Sequence, residues 1–260
     1  MFLSLRDPGT DGVGIAFSDR RGGVSAAPFD TLNLGRTDAD DPSAVIRNFR
    51  LLREALDLPA LVTVNQVHGT AVIDITAADV AAWRPGFELG DAVPGQPPLR
   101  VADAVITRES GVGLAVRVAD CLPVLFADEE AGVIGAAHAG RQGLIEGVLP
   151  ATIERLRGIG AKNLTSWVGP HACGACYELP EAMVAELAAR WPDARRLTAN
   201  GTSAADLGAI AASQLAAGGC EVVRMDVCTM TTPTLFSHRR DGAATGRQVG
   251  VIWRRRGGVS

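Results

Sequence analysis

Histidine and cysteine are the scarce reactive residues of this 260-residue chain, with four of one and five of the other. His68 ends the run Asn65-Gln66-Val67-His68-Gly69, where an apolar stretch gives way to a loop. Strand ends and the loops after them are the usual ground for a site on a rigid scaffold. Cys121 stands in Ala119-Asp120-Cys121-Leu122-Pro123, directly after the apolar run Val112 to Val118. Pro123 argues against a central strand there and predicts a bend at Cys121. His138 lies in Gly135-Ala136-Ala137-His138-Ala139-Gly140, whose small residues let backbone, metal or substrate approach closely. Two imidazoles, one thiolate and an open fourth position make a catalytic zinc set. Spacing alone also fits an inert buried thiol beside two hydrogen-bonded histidines, since free Cys is commonly buried.

Two further clusters carry reactive groups. Cys173-Gly174-Ala175-Cys176 is a lone C-x-x-C with no second pair to close a zinc knuckle and no thioredoxin-like surroundings. It reads as two packed thiols in a turn, and Cys220 and Cys228, flanking a predicted strand, read as core. Phe236-Ser237-His238-Arg239-Arg240-Asp241-Gly242 places two guanidinium groups beside a histidine, ahead of Gly246-Arg247. Paired guanidinium groups suit a phosphate or a carboxylate, and a solvated turn with one structural ion pair is the alternative. Neither a P-loop nor a strand-anchored G-x-G-x-x-G is present. Lys162 is the sole lysine, which leaves Schiff-base chemistry little to work with.

The elements that must position these residues are legible as short apolar runs and helical stripes. Strands are expected at Leu61 to Val67, Ala71 to Ile75, Val112 to Val118, Val133 to Ala137, Leu164 to Val168, Val222 to Met225 and Val249 to Trp253. Asp41-Pro42 supplies a cap and a first-turn proline for a helix with Val45, Ile46, Phe49, Leu52 and Leu56 on one face. Leu179-Pro180 opens a second, with Val184, Leu187 and Trp191 as its stripe. A third runs from about Ala204 to Ala217 and ends at Gly218-Gly219. Gly143 to Arg157 is helical too, with a kink or restart at Pro150. Ala81 to Arg100, rich in Pro and Gly, is a loop. Strands and helices mix without strict βαβ alternation, which gives one layered α/β domain over residues 1–260.

Composition narrows the class. The formal charge of −4 gives no reason to expect nucleic acid, and the arginines Arg254 to Arg256 read as a solvated tail. No run of 18 apolar residues marks a membrane span, and the opening residues are too soon charged for a signal peptide. An odd number of cysteines points to reduced thiols and the cytoplasm.

In this order the clusters resemble the YfiH family, also called the laccase-domain or multicopper polyphenol oxidase-like family. The matching stretches are N-Q-V-H-G at 65–69, A-D-A at 102–104, A-D-C-L-P-V at 119–124, A-A-H-A-G at 136–140, G-P-H-A-C-G-A-C-Y-E at 169–178 and F-S-H-R-R-D-G at 236–242. Leu32-Asn33-Leu34-Gly35 and Asn48-Phe49-Arg50 match as well. The resemblance implies an α/β/β/α layered fold, similar to that of cytotoxic necrotizing factor-like cysteine hydrolases. It also implies zinc on His68, Cys121 and His138. Family members are described as purine nucleoside phosphorylases that also deaminate adenosine and cleave methylthioadenosine, as copper-dependent phenol oxidases, or as editing factors for peptidoglycan precursors. The family's usual H-A-G-W-R-G is replaced here by His138-Ala139-Gly140-Arg141-Gln142-Gly143, which bears on substrate choice rather than on metal.

The expectation is therefore a zinc-dependent purine nucleoside phosphorylase with adenosine deaminase and methylthioadenosine phosphorylase activity. His68, Cys121 and His138 carry catalysis and metal. Asn33, Gln66, Arg239 and Arg240 meet nucleoside and phosphate, with Arg50 a further cation. The alternatives are a cysteine hydrolase with Cys121 as nucleophile and His138 as base, and a copper oxidase. One blue-copper centre alone takes two histidines and a cysteine, leaving only two histidines for any further copper cluster.

Overall fold

Strands covered on both faces read as unbroken apolar runs, because neither face meets water. That is the state of β6 (Val112–Val118), β7 (Leu122–Asp128) and β8 (Val133–Ala139), in which every residue is buried. The computed structural model describes residues 1–9, 12–36 and 39–255. Ahead of these three strands come β1 (Phe2–Arg6), β2 (Val13–Ser18), α1 (Pro42–Ala55), β3 (Ala60–Val62), β4 (Val72–Ile75), α2 (Ala77–Ala82) and β5 (Ala104–Thr107). After them come α3 (Arg141–Glu146), α4 (Val148–Gly158), β9 (Thr165–Val168), α5 (Glu181–Arg190), β10 (Arg195–Leu197) and β11 (Ser203–Ala205). The chain continues through α6 (Leu207–Ala217), β12 (Glu221–Arg224), α7 (His238–Asp241) and β13 (Gln248–Arg254).

A five-stranded sheet runs β1-β2-β13-β6-β3, and a six-stranded sheet runs β12-β9-β7-β8-β5-β4. The alternation of side chains along each strand stacks them into layers. Ile15, Phe17, Leu114 and Val116 of the first sheet meet Val105, Leu125, Ile134 and Ala136 of the second in one buried cluster. The opposite face of the first sheet, with Ala16, Ala115 and Val251, packs on Val45, Phe49 and Leu52 of α1. The opposite face of the second, with Val124, Phe126 and Ala137, packs on α3, α4, α5 and α6. The order is helix, sheet, sheet, helices, as the α/β/β/α expectation has it.

Local signals set most boundaries. The Asp41 side chain accepts from the Ser43 amide at the start of α1, with Pro42 in its first turn. Gly147, at φ 95°, ends α3 and starts α4, so the expected interruption near Pro150 falls a few residues earlier.

Several expectations are corrected. The Leu61 to Val67 strand stops at Val62, and Asn65 retains only an isolated bridge to Val101. The third helix begins at Leu207, capped by Asp206, because Ala204 and Ala205 pair with β10. Pro123 does lie in a central strand: it is the second residue of β7, between β8 and β9. Its carbonyl accepts from Gly169 N, just past the end of β9, so its ring nitrogen faces a side where ladder pairing has finished. Arg254 is no solvated tail, since it closes β13 and its guanidinium donates to the carbonyls of Arg108 and Gly132. Arg256 lies outside the described residues.

Candidate active site

A three-residue link joins the two facing sheets. β6 belongs to the first sheet and β7 to the second, so Ala119-Asp120-Cys121 must carry the chain across. Asp120 makes the corner at φ 89°, a region a non-glycine residue seldom adopts. Its carboxylate holds the corner by accepting from Thr229 Oγ1 at 2.6 Å and from Arg239 N at 2.6 Å. Cys121 is thereby set beside His138, which is buried near the end of β8. His68 arrives on the loop after β3 at φ 62°, a second left-handed residue.

The donor atoms of His68, Cys121 and His138 all lie within 4.8 Å of one another. Cys121 Sγ is 3.7 Å from His68 Nε2, and the two imidazoles meet edge to face with centroids 4.8 Å apart. Zinc bonds at a tetrahedral angle would hold sulfur and nitrogen roughly 3.6 Å apart, which the Cys121–His68 pair already matches. The set therefore fits a zinc ion with one position left for solvent or substrate. Gly140 is required by this crowding, because a Cβ there would sit 2.5 Å from His68 Cδ2 and 3.2 Å from Cys121 Sγ.

One residue organises the three, and local sequence reasoning assigned it no role. Asp103 is fully buried just ahead of β5. Its Oδ1 accepts from His138 Nδ1 at 2.8 Å and from His68 N at 2.9 Å. Its Oδ2 accepts from Val67 N at 3.1 Å and from Gly69 N at 2.7 Å. The carboxylate thus holds the His68 loop in its left-handed turn and commits the Nδ1 proton of His138, leaving Nε2 as the ligating nitrogen. The signal was the acidic residue inside A-D-A at 102–104, in an otherwise apolar strand start.

The electrostatics follow from these contacts. Burial pushes the Asp103 carboxyl up, but its bonds to His138, Gly69 and Val67 hold it below the usual range. Burial likewise pushes the Cys121 thiol up, and the hydrogen bonds and charges of His138 and His68 outweigh it, bringing the thiol down to about 6. Burial pushes His138 down, and Asp103 and Cys121 together raise it to about 9. Near neutral pH the metal-free site is a thiolate–imidazolium pair, ready to exchange protons for a cation.

A cavity of about 760 Å³ opens over this cluster. Besides the three residues, Gln66, Arg36, Arg117, Arg247 and His238 line it. Gln66 pairs twice with the backbone of Arg117, donating to its carbonyl at 2.8 Å and accepting from its amide at 2.8 Å. Burial, together with the charges of Arg36 and Arg247, lowers Arg117 to about 10. Arg36 pairs with Asp91. Among the described residues no carboxylate lies within ion-pair distance of Arg117 or Arg247. The negative charge that reaches Arg247 is that of Cys121 and Asp120, which acts against the lowering of its pKa by burial.

The expected substrate residues divide. Gln66 is in the cavity. Asn33 is wholly buried behind it, donating to Asp40 Oδ2 and accepting from the amides of Gly35 and Arg247, so it supports the Arg247 backbone. Arg239 and Arg240 do not line the cavity. Arg239 stacks over Tyr177 and donates to the Glu178 carbonyl. Arg240 spends its guanidinium on the carbonyls of Thr229, Thr232 and Leu235 and on Asp241. Arg50 pairs with Glu54 on exposed α1. Arg36, Arg117 and Arg247 line the cavity instead. Arg141 and Gln142 are on α3, outside the cavity lining, and Gln142 bonds Glu146. Cys228, expected in the core, is half-buried beside Cys173 and Cys176, whereas Cys220 is buried. Among the described residues no helix is long and apolar enough to cross a membrane.

The chain is similar to known proteins over nearly its whole length. The family model described as multi-copper polyphenol oxidoreductase laccase matches residues 14–255. The Streptomyces coelicolor protein named purine nucleoside phosphorylase SCO2081 is 44% identical over 248 residues, covering 94% of this chain and 96% of that one. The Escherichia coli protein named purine nucleoside phosphorylase YfiH is 35% identical over 251 residues, covering 95% and 96%. The crystal structure of YlmD from Geobacillus stearothermophilus aligns with a TM-score of 0.81 at 30% identity, covering 96% of this chain and 94% of that one. That of Neisseria meningitidis NMB0706 aligns with a TM-score of 0.78 at 32% identity, covering 98% and 99%.

Proposed function

The chain belongs to the multi-copper polyphenol oxidoreductase laccase family, and on that footing we propose that it is a zinc-dependent purine nucleoside phosphorylase. The observation that carries this reading is the pairing, in one cavity, of a His-Cys-His ligand set with arginines that lack carboxylate partners. A nucleoside and a phosphate fit the chemistry of those two halves. The volume is in the range of small-molecule sites.

Zinc on His68, Cys121 and His138 would supply Lewis-acid charge and, with water in its fourth position, a nucleophile at neutral pH. Asp103 keeps the His138 proton on Nδ1 and the His68 loop in register. Arg247 gives Nη1 to the Thr245 and Gly246 carbonyls and keeps Nε and Nη2 for phosphate oxygens, while Arg117, tied to the Val64 and Glu88 carbonyls, adds positive charge. In phosphorolysis a phosphate oxygen bonds the ribose anomeric carbon as the carbon–nitrogen bond to the base breaks. The base leaves with the bonding pair and takes up one proton at a ring nitrogen. His238, on the cavity wall, is the imidazole placed to give that proton. Adenosine and methylthioadenosine share the ribose and base that this arrangement addresses. Deamination of adenosine would use water in place of phosphate.

The test is metal analysis of protein purified without added metal, followed by product identification from adenosine with and without phosphate. Ribose 1-phosphate and adenine, formed only with phosphate, are expected. No base release from any purine nucleoside by zinc-loaded protein would overturn the reading. A second reading has its own observation: Cys121 Sγ lies within 4.8 Å of His138, whose Nδ1 is held by Asp103, which suits a nucleophile, a base and an orienting carboxylate. Amide hydrolysis by metal-free protein, lost with Cys121→Ser, would replace phosphorolysis by a cysteine hydrolase acting on such a bond. A multicopper oxidase is disfavoured by count, since His171 donates to the Gly169 carbonyl and lies outside the cavity lining.

A further inference from the structure

We propose a second metal site apart from the cavity, in which Cys173, Cys176 and Cys228 bind one thiophilic d10 cation, zinc(II) or copper(I), through three thiolates. Their sulfurs lie within 4.8 Å of one another. None of the three is in a disulfide. Cys173 and Cys176 share one tight turn, in which the amides of Cys176 and Tyr177 both donate to the Cys173 carbonyl. Cys228 is delivered by backbone pairing: His171 N donates to Val227 O, and Thr229 N donates to His171 O. The meeting of the three sulfurs is therefore built by main-chain register, not by a chance rotamer.

Cys173 N donates to the Cys228 sulfur at 3.4 Å, which fixes that sulfur beside the turn. Three thiolates at this separation repel one another unless a cation lies between them. Soft sulfur donors select zinc and copper(I) over calcium or magnesium. Cys176 also lines an open groove of about 420 Å³ with Met230 and Glu178, which gives an ion a way in. Zinc would complete its coordination there with water, whereas copper(I) is satisfied by three sulfurs.

An ion here would tie the 173–177 turn to the 228–231 loop. Thr229 holds Asp120, the corner residue before Cys121, and Arg240 holds the Thr229 carbonyl. The site would thus brace the wall that carries His238 without touching the reaction centre.

The experiment is metal binding by the full chain under reducing conditions, after removal of metal with a chelator. Zinc and copper(I) are titrated in separate arms, each against a chromophoric competitor. Two ions per chain are expected in at least one arm, and the arm in which the second ion binds identifies the cation. Cys176→Ser and Cys228→Ser should each lose one ion and keep the one that Cys121→Ser loses. Cobalt(II) loading of the unmodified chain gives a check that no variant can confound. Where the zinc arm binds two ions, the cobalt thiolate charge-transfer absorbance should rise to that of four sulfurs, three here and one from Cys121. One ion per chain in both arms, lost with Cys121→Ser, or two zinc ions with cobalt absorbance that stops at one sulfur, would overturn the site. So would unchanged stoichiometry in a folded Cys176→Ser chain. These readouts involve no nucleoside, so they stand or fall independently of phosphorolysis.

Discussion

Replacing Asp103 by Asn removes one charge and almost no volume, and the structure sets what it should cost. The carboxylate accepts four hydrogen bonds, two on each oxygen. An amide can accept on only one side. If its oxygen faces His138 and His68 N, its NH2 confronts the part-buried amides of Val67 and Gly69, leaving both without their partner. A fully buried donor left so costs about 1–3 kcal/mol, which is the ceiling for each of these part-buried ones. If the amide flips, its NH2 faces His138 Nδ1, which must then accept, and the ring proton moves to Nε2. That tautomer cannot ligate a metal through Nε2. Either route should weaken zinc by about 10–100-fold, the usual effect of losing a carboxylate behind a ligating histidine. The assay is zinc competition against a chromophoric chelator, run beside thermal unfolding of the metal-free protein. Asp103→Asn should bind zinc more weakly and melt lower even without metal. Unchanged zinc affinity in a variant that melts like the parent would refute the assignment of Asp103 as the organiser of the site.

Four other outcomes follow from the same geometry. Arg247→Lys should raise the apparent KM for phosphate roughly tenfold to a hundredfold, the range for losing a charged hydrogen bond, with zinc content unchanged. Arg240→Lys should instead leave that KM alone and lower the melting temperature, since its guanidinium serves backbone carbonyls and Asp241. Alkylation of Cys121 in metal-free protein should rise with pH around a midpoint near 6, because the thiolate is the reactive form and its neighbours bring the thiol to about 6. Removing His138 should move that midpoint upward, and bound zinc should suppress the reaction at every pH. Gly140→Ala should displace His68, which its Cβ would meet at 2.5 Å, and zinc affinity measured by competition should drop while the sheets stay intact.

The parts of this protein that are local in the chain were legible in the sequence. His68, Cys121 and His138 stood out because reactive side chains sat among small residues at the ends of apolar runs. Their grouping is what the fold delivers. The layers were legible for a related reason: β6 and β8 are buried on both faces, so they are apolar but for Arg117 and His138 near their ends. Caps such as Asp41-Pro42 act within one turn and set the start of α1 as expected. Pro123 misled because a missing amide matters only if a partner strand runs opposite, and β9 has already ended there. The arginines show the same limit. Arg239 and Arg240 announce charge, but the carbonyls around them, set by tertiary packing, decide where that charge goes. Arg36, Arg117 and Arg247 stand far apart in the chain, and only tertiary pairing, of β13 with β6 and of Leu34 N with the Arg247 carbonyl, brings them together. Asp103 and Cys228 were likewise unremarkable in sequence, because a hydrogen bond to a distant loop or a third sulfur for a turn is fixed by register between strands and loops, which no local pattern encodes.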